Sequence, residues 1–213
     1  GKHCKALGKA RKSLKVGKNV WKFFETLDKD LNWLVINSNF SVDSKIIERF
    51  IRVSEKFKRV SVAASIDAIT DIAEYTRQGL DYKEFMNNVD LWCTSSNPNN
   101  VLHLQSTVNI LNIWGFTDKL DLSVELSKRY PGRVQPFYST LVRFPEFQSV
   151  SLLPAELRHG LANRITQWLD KNGHWLSDQE QSYVEKTVLY LQQEPEQLVN
   201  LDQEQLRIDF KKF

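Results

Sequence analysis

Two short apolar runs in this chain end in small polar residues. Trp33-Leu34-Val35-Ile36-Asn37-Ser38-Asn39 is the first, and Val60-Ser61-Val62-Ala63-Ala64-Ser65-Ile66-Asp67 is the second. Apolar runs of this length read as buried parallel strands, and α/β proteins place ligand groups at the carboxyl ends of such strands. Asn37 and Asn39 lie two apart, so an extended chain puts them on one face. Ser61, Ala63, Ser65 and Asp67 share a face in the same way, and their small size leaves room beside the sheet. The chemistry on offer is hydrogen bonding and one carboxylate. The plainer alternative is local: Asn37, Asn39 and Ser65 cap the loops that follow, and Asp67 caps the next helix. The segment Glu74 through Gly79 follows Asp67 by about two helical turns, and its Arg77 would pair with a carboxylate through its guanidinium fork, or else lie free on the surface.

Those residues need a scaffold, and hydrophobic periodicity supplies it. Asn19 opens a helix through Val20, Phe23, Phe24 and Leu27. Asp43 caps a second helix with Ile46, Ile47, Phe50, Ile51, Val53 and Phe57 on one broad stripe, between the two strands. Residues 68–92 read as helical with a break at Gly79 and a new cap at Asp81. A third strand is expected over 101–110, a helix over 116–129, a turn at Pro131-Gly132, and a fourth extended segment over 133–142. Pro136 makes that last segment an edge or irregular strand. Pro154 stands in the first turn of a helix reaching about Lys171, and Ser177 with Glu180 forms a capping box for a helix over 177–192. A final helix is expected over about 202–211. The alternation implies α/β class with a parallel sheet and right-handed crossovers, followed by a helical tail.

The 213 residues suit one or two domains, and no run of about 18 apolar residues would span a membrane. Two cysteines, Cys4 and Cys93, supply neither a disulfide framework nor a self-contained metal motif. With no secretory pattern at the start, the expected location is cytoplasmic. The net charge of +3 hides an asymmetry: residues 1–18 carry seven Lys or Arg and no acid, leaving a net of −4 on the remainder. A basic arm can attract nucleic acid, but no nucleic-acid motif accompanies it, and a solvated tail is the plainer reading. His103, His159 and His174 show no ligand spacing.

Several segments taken together resemble the radical SAM superfamily, in its SPASM/twitch type. They are Ile36-Asn37-Ser38-Asn39-Phe40-Ser41, Ser65-Ile66-Asp67, Ala73 through Tyr82 with its Glu74-Tyr75-Thr76-Arg77-Gln78-Gly79 core, Asn87-Asn88-Val89, Gln105 through Asn112, Pro145, and Leu153 through Arg158. The similarity spans roughly 19–170 and lies in their order and spacing. It implies a partial (β/α)6 TIM-like barrel, here about four parallel strands, in which a 4Fe–4S cluster and S-adenosylmethionine generate a radical that attacks a substrate, with the cofactor supplying the hard chemistry. By this resemblance Ser65 contacts the ribose or methionyl part of S-adenosylmethionine and Arg77 pairs with its carboxylate. Asn37, Asn39, Gln105 and Asn109 line the cavity, and Asp67 fits the motif but has an equally good structural role. The implied domains are a basic arm over 1–18, the partial barrel over 19–142, and a helical region over 143–213 that is expected to be truncated.

The chain departs from that family where the cluster should be. The family's CxxxCxxC loop and GGEP segment are missing, Ala68 stands where a Gly is expected, and three thiolates are what leave one iron open for the cofactor. The 4Fe–4S ligands are therefore not in this chain. The expectation is a fragment, the carboxyl-terminal portion of such an enzyme, inactive alone, or else a degenerate homologue. Its expected partners are an unknown acceptor substrate such as a peptide and the missing amino-terminal barrel segment, with neither membrane nor nucleic acid among them. A non-catalytic α/β binding or scaffold module is the alternative.

Overall fold

The computed structural model describes residues 33–193 together with 21, 22, 24, 26, 208, 209 and 211. The basic arm, the Asn19 cap and most of the last expected helix lie outside the described residues. Trp21, Lys22, Phe24 and Thr26 are helical, as are Ile208, Asp209 and Lys211.

Among the described residues, four strands form one wholly parallel sheet in the order β1-β2-β3-β4: β1 is Trp33–Ser38, β2 Arg59–Ser65, β3 Asn100–Val108 and β4 Val134–Leu141. Helix α1 (Ser44–Ser54) joins β1 to β2. Helices α2 (Thr70–Thr76) and α3 (Tyr82–Cys93) join β2 to β3, and α4 (Phe116–Arg129) joins β3 to β4. Each strand neighbours the next in sequence, so the sheet winds in one direction without reversal. The chain is thus α/β with a parallel sheet, and α5 (Ala155–Asn172) and α6 (Asp178–Leu191) follow it.

Local chemistry explains most boundaries. The Asp43 carboxylate accepts from Lys45 N at 2.9 Å and starts α1. Gly79, at φ +83°, makes the break between α2 and α3, and Asp81 caps α3 through Glu84 N. The Ser177–Glu180 capping box is formed in both directions. Pro154 is the residue just before α5 rather than part of its first turn. Pro136 falls where the β3–β4 register shifts, which is where a strand tolerates a residue without an N–H.

The helices cover one face of the sheet. Val60, Val62 and Ala64 of β2 and Leu102 and Leu104 of β3 are buried there. Phe50 of α1 stacks on Trp92 of α3 at 5.2 Å and 7°, Phe40 meets Trp92 edge-on, and the Trp92 indole N–H donates to Val101 O. Asn88, fully buried, donates to the carbonyls of Phe40 and Val42 and so ties the loop after β1 to α3. Parallel sheets are ordinarily covered on both faces. Here the second face stays open at β1, where Trp33 and Val35 are 63% and 61% exposed. Helices α5 and α6 are joined by Arg158, whose buried guanidinium donates to Leu153 O, Leu191 O and Gln193 O.

Candidate functional site at the carboxyl ends of the strands

A parallel sheet brings all four strand ends to one side, and the open face there carries the polar residues singled out above. Asn37 lies opposite Ala63, Ser65 opposite Gln105, Gln105 opposite Tyr138, and Thr107 opposite Thr140. Asn37 and Thr140 are exposed, and Ser65, Gln105 and Thr107 are half-buried. Alternation along each strand puts these side chains on the face the helices leave open. Ser65 and Gln105 are therefore brought together on adjacent strands, with Ala63 and its missing bulk beside them.

Asn39 and Asn109 are not part of that row. Strand β1 ends at Ser38, so Asn39 lies beyond it, and Phe40 takes a left-handed φ of 56° with its N–H on Ser38 Oγ. Strand β3 ends at Val108. Asn109 serves the next turn: its side chain accepts from Leu111 N and Asn112 N, and its own N–H donates to Asn112 Oδ1. Asparagine side chains compete with the ladder in this way and stop strands. A second left-handed residue, Thr70 at φ 48°, follows β2. A bulky or β-branched residue in that region is strained, and both stand just past strand ends on the candidate side.

Asp67 is only 9% exposed and is a hub. Its Oδ2 accepts from Arg77 Nε at 3.2 Å and Nη2 at 2.7 Å, and its Oδ1 accepts from Thr107 N at 2.8 Å. It does not cap α2, whose N-cap is Ile69 with no side-chain bond. Arg77, expected to meet a ligand carboxylate, is engaged by a carboxylate of its own chain, and its side chain keeps 29% exposure.

Sequence reasoning missed Lys119. It is fully buried in α4, and its Nζ donates to Ser106 Oγ at 2.9 Å between the rings of Phe116 and Phe137, 4.9 and 4.8 Å from their centroids. Burial pushes its amine down from 10.5 to about 7, while the nearby Asp67 charge acts the other way. The signal was present: Phe116, Lys119, Leu120, Ser123 and Leu126 fall on one helical stripe, all buried.

The chain matches no family model, no curated protein and no solved structure.

What the residues can hold follows from their types. Hydroxyl and amide groups on the open face offer donors and acceptors to a polar ligand. Among the described residues no group of three His, Cys, Asp or Glu is placed to hold a metal ion. Cys93 is buried at the end of α3, and burial pushes its thiol up to about 12, so it stays protonated and unreactive. These residues do not fit a 4Fe–4S cluster, which needs several thiolates. An apolar cavity of about 190 Å³ lies on the helix side, between Trp21, Phe24, Ile47 and Phe50, and touches the polar row only at Asn37. Among the described residues no helix is long and apolar enough to cross a membrane.

Proposed function

We propose that this chain is the carboxyl-terminal part of a radical SAM barrel of the SPASM/twitch type, and that its open sheet face cradles S-adenosylmethionine. The observation that carries the reading is the pairing of Ser65 with Gln105 on that face at the strand ends, with Ala63 leaving space beside them. Four parallel strands wound in one direction, with helices on one side, are what a section of a (β/α)6 barrel would present. In this reading Ser65 and Gln105 hydrogen-bond the ligand, Asn37 and Thr107 border it, and Asp67 with Arg77 holds the ends of β2 and β3 in register. S-adenosylmethionine would supply the alkyl group that becomes the radical. This chain would bind and orient it. No radical step is assigned to these residues, because the cluster ligands are not among them.

A purely structural α/β module is the second reading, and one observation favours it: Asp67 already occupies two of the Arg77 nitrogens.

Amide chemical shifts in a titration with S-adenosylmethionine decide between the two. The expected result is saturable shifts at Ser65, Gln105 and Thr107, with a dissociation constant near about 1 mM, as suits a cradle lacking the cluster. Ser65→Tyr, which fills the space beside Ala63, and Gln105→Leu should each weaken binding about tenfold or more. Absence of shifts in the wild type at several times that concentration removes the cofactor reading and leaves the structural one.

A further inference from the structure

The free edge of β4 faces a groove that the proposed function does not use. Val142 N donates to Val108 O, which turns residues 138, 140 and 142 toward β3. Alternation then aims the N–H and C=O groups of Phe137, Ser139 and Leu141 outward. The Phe137 N–H is taken by Glu180 Oε1 of α6 at 3.0 Å. Ser139 and Leu141 instead line a groove of about 390 Å³ between β4 and α6.

The groove has a definite chemistry. Among the described residues that line it, Arg143 and Lys186 are the charged ones and none is acidic. Both are exposed, and neither forms an ion pair among the described residues. Each cation lies over a tyrosine ring: Lys186 is 5.8 Å from Tyr183 and Arg143 is 5.7 Å from Tyr190. Leu189 and Tyr138 line the same groove at 64% and 44% exposure, and Phe144 beside Arg143 is 81% exposed.

We propose that this groove docks an extended, acidic peptide segment of a partner as a fifth strand on the edge of β4. An outward pair of backbone groups gives a strand its hydrogen bonds, and alternate side chains then give specificity. Two unpaired cations favour carboxylates at every second position, and the exposed Leu189, Tyr138 and Phe144 favour apolar side chains between them. The Glu180 bond to Phe137 stops pairing at the amino-terminal end of β4, so the added strand is confined to the Ser139–Leu141 end. A blunted edge is what Glu180 and Lys186 would make if their purpose were to prevent pairing. The edge groups at Ser139 and Leu141 and the absence of acids among the described lining residues argue for a ligand instead.

The test uses a fluorescein-labelled Glu-Val-Glu-Val-Glu peptide, its Lys-Val-Lys-Val-Lys counterpart, and the acidic peptide with its backbone amides methylated. Fluorescence anisotropy should show binding of the acidic peptide alone. Methylation should weaken it about tenfold or more, because the peptide then has no N–H groups to give the outward carbonyls of β4. The surface variant Arg143→Glu/Lys186→Glu should also lose about tenfold and turn toward the basic peptide. Its far-UV circular dichroism should match wild type, since both side chains are exposed. The proposal is overturned if no peptide binds, if acidic and basic peptides bind alike, or if the methylated peptide binds as well as its parent. The S-adenosylmethionine titration reads a different part of the sheet, so failure of either result leaves the other standing.

Discussion

Asp67→Ala lowers the free energy of unfolding by about 2–4 kcal/mol. The carboxylate accepts three hydrogen bonds that join three separate pieces of chain: its own position after β2, Arg77 after α2, and Thr107 near the end of β3. Removing it leaves the Thr107 amide without an acceptor in a half-buried setting and leaves a guanidinium without its counter-charge. Full burial of that cation would place the loss at the top of the range or above it. The Arg77 side chain is 29% exposed, so water recovers part of the cost, and the middle of the range is expected. Asp67→Asn keeps an acceptor for Thr107 and removes the charge, so it should lose about half as much. Urea unfolding of Asp67→Ala, Arg77→Ala and the double variant gives the coupling between the two side chains, expected to be about 1 kcal/mol or more. A loss below about 1 kcal/mol for Asp67→Ala would mean that the hub carries little of the fold's stability.

Lys119→Met should stabilise the protein, by about 1–4 kcal/mol at pH 6. The amine sits between two phenylalanine rings with one serine hydroxyl as its hydrogen-bond partner, so its proton is costly to keep. In the folded chain it binds its proton only below about 7, against 10.5 as the ordinary value. Between those two pH values the unfolded chain holds more protons than the folded one. Stability therefore rises with pH across that window, by up to about 1.4 kcal/mol per pH unit from this group. Below about 7 both states are protonated, and the full penalty applies. Methionine removes the proton, is unbranched and only one atom shorter, and suits contact with aromatic rings. Ser106 Oγ retains Ser139 Oγ at 3.5 Å as a neighbour. Urea midpoints of wild type and Lys119→Met at pH 6 and pH 9.5 test this. The gain should be large at the first pH and small at the second. Destabilisation at both would show that the Ser106 bond outweighs the burial of the amine.

These two residues also show where sequence patterns stop. The paired helices α2 and α3, the Gly79 break, the Asp43 and Asp81 caps and the Ser177–Glu180 box were all legible, because each is set within a few residues of chain. The strand ends were less so. Asn39 is expected on a strand face from its spacing of two from Asn37, and Asn109 inside a strand over 101–110, yet Asn39 lies just before the left-handed Phe40 and Asn109 makes its own turn. Side-chain competition with the backbone decided those ends, and periodicity does not register it.

What the sequence determined by itself is the order of strands and helices, and with it a parallel sheet whose ends collect Ser65 and Gln105. Local caps, breakers and hydrophobic period suffice for that. What only the tertiary structure decided is who partners whom. Asp67 was a cap or a ligand group by its neighbourhood. It became a hub because β3 runs beside β2 and brings in a backbone amide forty residues away. Lys119 was an ordinary helix lysine until the Phe116 and Phe137 rings closed over it. The β4 groove exists only because α6 returns beside an edge strand. Burial and charge pairing depend on contacts distant in the chain, and those are made only when the sheet and its helices come together.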